Sequence, residues 1–224
     1  MTGEPSPRKG LAPATYLGLL LALGGPFLPY LVDPILFGTA WTPLRIEWDT
    51  GIHWLNWGVL IGVVLYAEKL PLTSIGLKRW RWWTLPLGLI AGAIILNVSG
   101  ILVSVLKVGS EKHFAAFLMS LPFAVRLLIV VTAGIFEETL FRGYALERLA
   151  TAFNSKWAAA AVTVVIFTLA HVPAVGLTHV LPVFIVSVFV TLLYLWRRDL
   201  VVNMIAHATI DGVALLLIPL LSQH

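Results

Sequence analysis

What most constrains this chain is the length of its apolar runs. Seven stretches, roughly 11–38, 51–67, 84–106, 121–149, 157–173, 179–196 and 200–219, each approach the ~20 apolar residues that a bilayer core requires of a helix. In hydrocarbon a backbone has no water to bond, and segments of this kind satisfy their own polar groups by coiling into helices. Only 12% of the 224 residues are charged, against about 25% in an average soluble domain, and the mean hydropathy is +0.92. The fold expected is all-α, a polytopic transmembrane helical bundle of about seven spans. One membrane-embedded domain takes in residues 1–224, with 1–10 as a cytoplasmic N-terminal tail, and there is no internal repeat.

The charges that remain report topology. With the N-terminus inside, the inner segments hold Arg8, Lys9, Lys69, Lys78, Arg79, Arg81, Arg148, Lys156, Arg197 and Arg198, and the outer ones hold Arg45, Lys107 and Lys112. That bias predicts a cytoplasmic N-terminus and an outside C-terminus. Trp80, Trp82, Trp83, Trp157 and Trp196 flank the inner ends, and Trp41 and Trp48 fall in the outer loop, as interfacial belts do. A net charge of +4 would suggest nucleic acid in a soluble protein; between apolar runs it reads as orientation, and no nucleic acid partner is expected. There is no cysteine, which excludes a thiol nucleophile and thiolate metal ligands. Arg8 and Lys9 before the run from Leu11 resemble a signal peptide, but the run is long and no A-x-A site follows, so a retained first span is expected. Phe114, Phe117, Leu118 and Leu121 fall at helical spacing and predict a short interfacial helix. Ser120 and Pro122 look like the N-cap and first-turn proline of the fourth span. The pairs Gly58/Gly62 and Gly88/Gly92 are G-x-x-x-G spacings that suit close helix packing.

Against this background, ionisable side chains at mid-membrane depth stand out, since each costs on the order of 3 kcal/mol to insert. Glu137, Glu138 and Arg142 lie in the middle of the fourth span. Glu138 and Arg142, at i and i+4 with the acid N-terminal, have the favourable order for an ion pair that fixes the helix. Glu137 points about 100° away, and is left to exchange a proton as a general base. Phe167 and His171 share a face of the next span. Asn203, His207 and Asp211, at i, i+4 and i+8, draw a polar stripe down the last one, where Asp211 can hold the His207 ring and set its tautomer.

Together these residues describe a peptide hydrolase without a covalent intermediate. Glu137, aided by His171, takes a proton from water, and His207 with Asp211 stabilises the oxyanion. The same four side chains, Glu137, His171, His207 and Asp211, are also the candidates for a divalent metal such as zinc. Other chemistries fit less well. The chain has no G-x-S-x-G and no H-E-x-x-H. Asp33 and Asp211 are the only candidates for an aspartyl pair, and Asp33 sits beside Pro34 near a span end.

At these residues the chain resembles the CPBP family, the CAAX proteases and bacteriocin-processing enzymes also called the Abi family, which includes the Ras-converting CAAX endopeptidase. Glu137-Glu138-x-x-x-Arg142, Phe167-x-x-x-His171 and His207-x-x-x-Asp211 look like its three ordered motifs, each on its own span. The resemblance implies a catalytic four-helix core of CPBP/Abi type in the last four spans, 121–219. It implies water activation by Glu137 and His171, an oxyanion site at His207 and Asp211, and supporting roles for Glu138, Arg142, Phe167 and Asn203. The family's last position is often Asn, a neutral donor; Asp211 here is either protonated, an orienting group for His207, or a metal ligand. Members that act on prenylated proteins tend to carry a further C-terminal span, not seen here, so the expected substrate is a membrane-anchored or hydrophobic peptide or protein in general. A metal-free glutamate mechanism is favoured, with no cofactor. Two other functions share these features: a non-enzymatic bacteriocin-immunity or scaffold protein on the same fold, and a proton-coupled transporter. The latter commonly shows an inverted repeat that this sequence lacks. The compact length suggests a prokaryotic plasma membrane.

Overall fold

The computed structural model describes residues 11–38, 41–107, 112–177 and 180–221, apart from the side chains of Lys112 and His113. The tail 1–10, and Thr178 and His179 around the head of the expected sixth span, lie outside the described residues. Among those described, the chain is helical and contains no strand. The rods are α1 (Pro13–Leu36), α2 (Pro43–Ala67), α3 (Thr84–Val105), α4 (Lys112–Ser120), α5 (123–153), α6 (Lys156–Val175), α7 (Leu181–Arg197) and α8 (Leu200–Leu221). Five of them, α1, α2, α3, α6 and α8, are long and apolar enough to cross a membrane. The other two expected spans are present as rods but fall short of that criterion. Helix α5 carries Arg126, Glu137, Glu138, Arg142, Glu147 and Arg148, and α7 has 17 residues. Large apolar side chains on the outside, such as Ile35 (83% exposed) and Val105 (71%), need lipid as their solvent.

Local chemistry sets the ends of the rods. Thr42 caps α2 by accepting from the Arg45 amide, with Pro43 in the first turn. The second span therefore begins eight residues before the expected residue 51. Arg45, Trp48 and Asp49 sit on a helix rather than in an outer loop, and Arg45 is held there by Asp33 of α1 at 2.8 Å. Asn154 in the left-handed region (φ 50°) ends α5, and Ser155 at once caps α6 by accepting from the Ala158 amide. Arg198 (φ 46°) and the Asp199 cap do the same between α7 and α8. Ser120 does not cap the fourth span. Its hydroxyl donates back to the Phe117 carbonyl at the end of α4, and Pro122 takes the N-cap position of α5. The short helix expected around Phe114–Leu121 is α4.

Helix α5 is the centre of the bundle. Phe136, Leu140, Phe141, Tyr144 and Ala145 are buried against Ala22 of α1, Leu60 and Val64 of α2 and Phe167 of α6. A second core joins Ile95 of α3, Val190 and Leu193 of α7, and Val202, Ala206 and Ile210 of α8. The two glycine pairs differ. A Cβ at Gly92 would lie 2.6 Å from the Ala206 carbonyl oxygen, so α3 and α8 touch backbone to backbone there. A Cβ at Gly58 or Gly62 would meet nothing within 4 Å, so that pair makes no close helix contact.

At the end of the bundle that carries the α2–α3 connection, Glu68 gathers the chain. It accepts from Thr15 of α1 (2.8 Å), Tyr144 of α5 (2.9 Å) and Arg148 of α5 (2.7 Å), and its side chain is only 3% exposed. Burial pushes its carboxyl up, but the hydrogen bonds and charge from Arg148, with those of Thr15 and Tyr144, outweigh this and hold it below its usual value.

Two outcomes follow for stability. Gly92→Ala drives a methyl group into the α8 backbone and should lower stability by about 1–3 kcal/mol, whereas Gly58→Ala should leave it unchanged or raise it by up to about 1 kcal/mol; thermal unfolding in detergent distinguishes them. A carboxyl depressed in the folded state stabilises above its unfolded pKa, and that contribution drains away as pH falls through the folded value. Wild type should therefore lose melting temperature on acidification below about pH 4.3, the ordinary glutamate value, and Glu68→Gln should show a smaller loss across that window.

Candidate active site

Adjacent residues on a helix face different ways, and in α5 this separates Glu137 from Glu138. The backbone from Glu138 to Leu146 winds as a π-helix, a rare form that recurs at functional sites, and all nine of its residues are buried. Glu138 turns into the core. Its Oε1 accepts from Arg142 Nη1 at 2.9 Å and from His207 Nδ1 at 2.7 Å, and its Oε2 accepts from Asn203 Nδ2 at 3.2 Å. Arg142 is saturated in turn. It donates to Ser187 Oγ (3.0 Å) and Thr191 Oγ1 (3.3 Å) of α7, and its guanidinium lies 4.4 Å from the Phe167 ring centre. Asn203 also donates to the Val190 carbonyl at 2.8 Å. The expected Glu138–Arg142 brace is present, and it does more than stiffen one helix, since it fastens α5 to α7 and α8.

Glu137 turns the other way. Its Oε1 lies 3.9 Å from His171 Nε2 and its Oε2 lies 3.8 Å from His207 Nε2. Both are too long for direct hydrogen bonds and short enough for a shared water. Glu137 Oε2 is buried and has no protein partner. A carbonyl oxygen only accepts, so the contact of His171 Nδ1 with the Phe167 carbonyl at 2.8 Å puts the proton on Nδ1 and turns Nε2 toward Glu137. Likewise His207 Nδ1 donates to Glu138, which leaves Nε2 facing Glu137 and, at 3.4 Å, Asp211 Oδ2. The structure thus differs from the sequence reading on one point: Glu138, three spans earlier in the chain, orients the His207 ring, and Asp211 sits at the working nitrogen. Close approach of α5 to α8 makes this possible. A Cβ at Gly134 would lie 3.1 Å from the Met204 carbonyl oxygen and 3.3 Å from Ala208 Cβ.

Glu137, His171 and Asp211 line a cavity of about 350 Å³. His207 stands behind them, 6% exposed. The far wall comes from Tyr30 of α1 and from Asp49 and His53 of α2, with Phe114 and Leu118 of α4 beside them. Sequence reasoning missed Asp49 because it falls before the apolar run that marks the second span, and no spacing within the first two spans ties Tyr30 or His53 to Glu137. Asp33 does not pair with Asp211. It is fully buried on Arg45, and the acid beside it is Asp49, which lines the cavity. Among the described residues, no group of three or more His, Asp or Glu side chains could hold a metal ion.

Residues 119–213 match the family model described as Type II CAAX prenyl endopeptidase Rce1-like. No curated protein matches the chain, and no solved structure does. The match begins at the end of α4, includes the Glu137, His171 and His207 clusters, and stops two residues past Asp211. The polar centre of this bundle therefore lies within the segment, residues 119–213, that is similar to Rce1-like CAAX endopeptidases of the CPBP family, in a chain with helices long and apolar enough to cross a membrane.

Proposed function

We propose that this protein is an intramembrane endopeptidase in which Glu137 and His171 activate water against a peptide bond of a membrane-anchored or hydrophobic substrate. The observation that carries the reading is the position of Glu137. It lies on a cavity wall between two imidazoles, with one carboxylate oxygen buried and unpartnered. In the proposed reaction the carboxylate takes a proton from a water held between Oε1 and His171 Nε2. The water oxygen bonds to the carbonyl carbon, and the carbonyl π electrons move to oxygen. His207, protonated on both nitrogens and anchored through Nδ1, donates from Nε2 to that oxyanion, and Asp211 steadies the charged ring. Glu137 then passes its proton to the amide nitrogen, and the C–N bond breaks to leave a carboxylic acid and an amine. Every step uses side chains of this chain and none requires a metal.

The distribution of lysine and arginine along the chain supports a cytoplasmic N-terminus and an outside C-terminus, in what we propose is a prokaryotic plasma membrane.

Glu137→Ala, His171→Ala and His207→Ala should each reduce cleavage of a membrane-anchored peptide by at least about 100-fold in reconstituted vesicles, with Glu137→Ala retaining the wild-type melting temperature. Full cleavage by all three variants would sink the assignment. Cleavage should persist after treatment with 1,10-phenanthroline; loss of activity that added zinc restores would instead assign a metal-dependent mechanism.

A further inference from the structure

The cavity has two walls of different origin. The Rce1-like segment supplies Glu137, His171 and Asp211, while α1 and α2, outside that segment, supply Tyr30, Asp49, Thr50 and His53. A peptide bond within a helix is shielded by its neighbours, so the segment presented to Glu137 has to be extended. An extended segment has an unpaired N–H and C=O on every residue, and each needs a partner wherever water is scarce. The polar side chains of the far wall differ in what they can offer. Thr50 already donates to the Ile46 carbonyl at 2.7 Å, and Thr132, on α5, accepts from the Trp54 indole at 3.1 Å. Asp49 stands beside the buried Asp33. Tyr30 and His53 line the cavity and make no hydrogen bond to any described residue.

His53 is nonetheless fixed in place. Its ring packs on Phe136, the residue directly before Glu137, with centres 4.4 Å apart and planes at 34°. A neutral imidazole offers one donor and one acceptor, as does a phenol, which matches the donor and acceptor of a peptide unit. Tyr30 and His53 thus stand on the same cavity as Glu137.

We propose that Tyr30 and His53 hydrogen-bond the backbone of an extended substrate segment in this cavity, so that the N-terminal helices hold the peptide that the Rce1-like segment cleaves. The inference rests on the endopeptidase reading above. Because the contacts are to backbone, they select an unwound segment and are tolerant of its side chains.

The test is a binding titration on the full chain in lipid nanodiscs, in a Glu137→Gln background that stops turnover. The probe is a dabcyl-labelled apolar peptide with a Gly-Ser centre, read by quenching of tryptophan fluorescence. Tyr30→Phe and His53→Phe keep ring shape and remove hydrogen bonding; each should weaken binding about 3- to 10-fold without changing the melting temperature. His53→Gln, which keeps a donor and an acceptor, should recover most of the loss. Binding of the labelled peptide unchanged in both Phe variants would overturn the inference, as would no measurable binding to the parent or a His53→Gln variant as weak as His53→Phe. With Glu137 restored, the two Phe variants should raise KM while kcat stays within about threefold. A fall in kcat at unchanged KM would also overturn it. Peptide binding that depends on Tyr30 and His53 without any cleavage would refute the endopeptidase reading and leave the peptide-binding wall in place.

Discussion

A single buried carboxylate organises the centre of this molecule. Glu138 accepts from Arg142, His207 and Asn203, which reach it from its own helix and from α8. A lone carboxylate at this depth would be prohibitively costly, and even a buried ion pair often fails to recover its own desolvation. The arrangement is tolerable because the donors that surround it have further partners: Arg142 has Ser187, Thr191 and the face of Phe167, and the Asn203 amide nitrogen has the Val190 carbonyl. What the network confers is specificity of packing. Three helices meet in one register, and the His207 ring is held by Nδ1 so that Nε2 has one direction in which to point.

The adjacency of Glu137 and Glu138 then acquires a physical meaning. Two neighbouring acids on a helix cannot share one environment. Here one is neutralised inside the bundle and the other is delivered to the cavity wall, within 3.9 Å of His171 and 3.8 Å of His207. The inner acid builds the frame and the outer one is left without a direct protein partner for Oε2. The π-helical winding that starts at Glu138 places a run of nine buried residues in the middle of this arrangement. Gly134 and Gly92 bring α5 and α3 against the α8 backbone on either side of His207.

Much of this was legible in the sequence because membrane insertion makes polar residues conspicuous. In a soluble protein Glu137, His171 and His207 would be unremarkable; within apolar runs each stands out by its cost. Helical spacing then separated the roles of the two glutamates, and it placed Asn203, His207 and Asp211 on one stripe. Contacts between elements were beyond reach. Nothing in the spacing of α8 says that His207 is oriented from α5, and nothing distinguishes Gly92, pressed on Ala206, from Gly58, which faces open space. The start of α2 was misplaced for a related reason. Arg45 and Asp49 look like loop residues until Asp33 of α1 is seen to neutralise Arg45. A partner distant in sequence changes what a charge costs, and a hydropathy profile carries no such information.

The proposed division of labour in the cavity is likewise a matter of contacts between elements distant in sequence. The Rce1-like match stops short of α1 and α2, yet these helices form one wall of the space in front of Glu137. Groups that make or break bonds have to hold a fixed geometry around one carbonyl, which favours side chains locked by a dense network such as that of Glu138. Groups that merely receive a peptide are under a weaker constraint, since a hydrogen bond to backbone tolerates many placements. The Asp33–Arg45 pair ties α1 to α2 beyond the reach of the Glu138 network. On the proposed reading, then, the wall that receives the peptide is less constrained in sequence than the centre, and differences in substrate between proteins that share this domain are expected to reside in the helices that precede it.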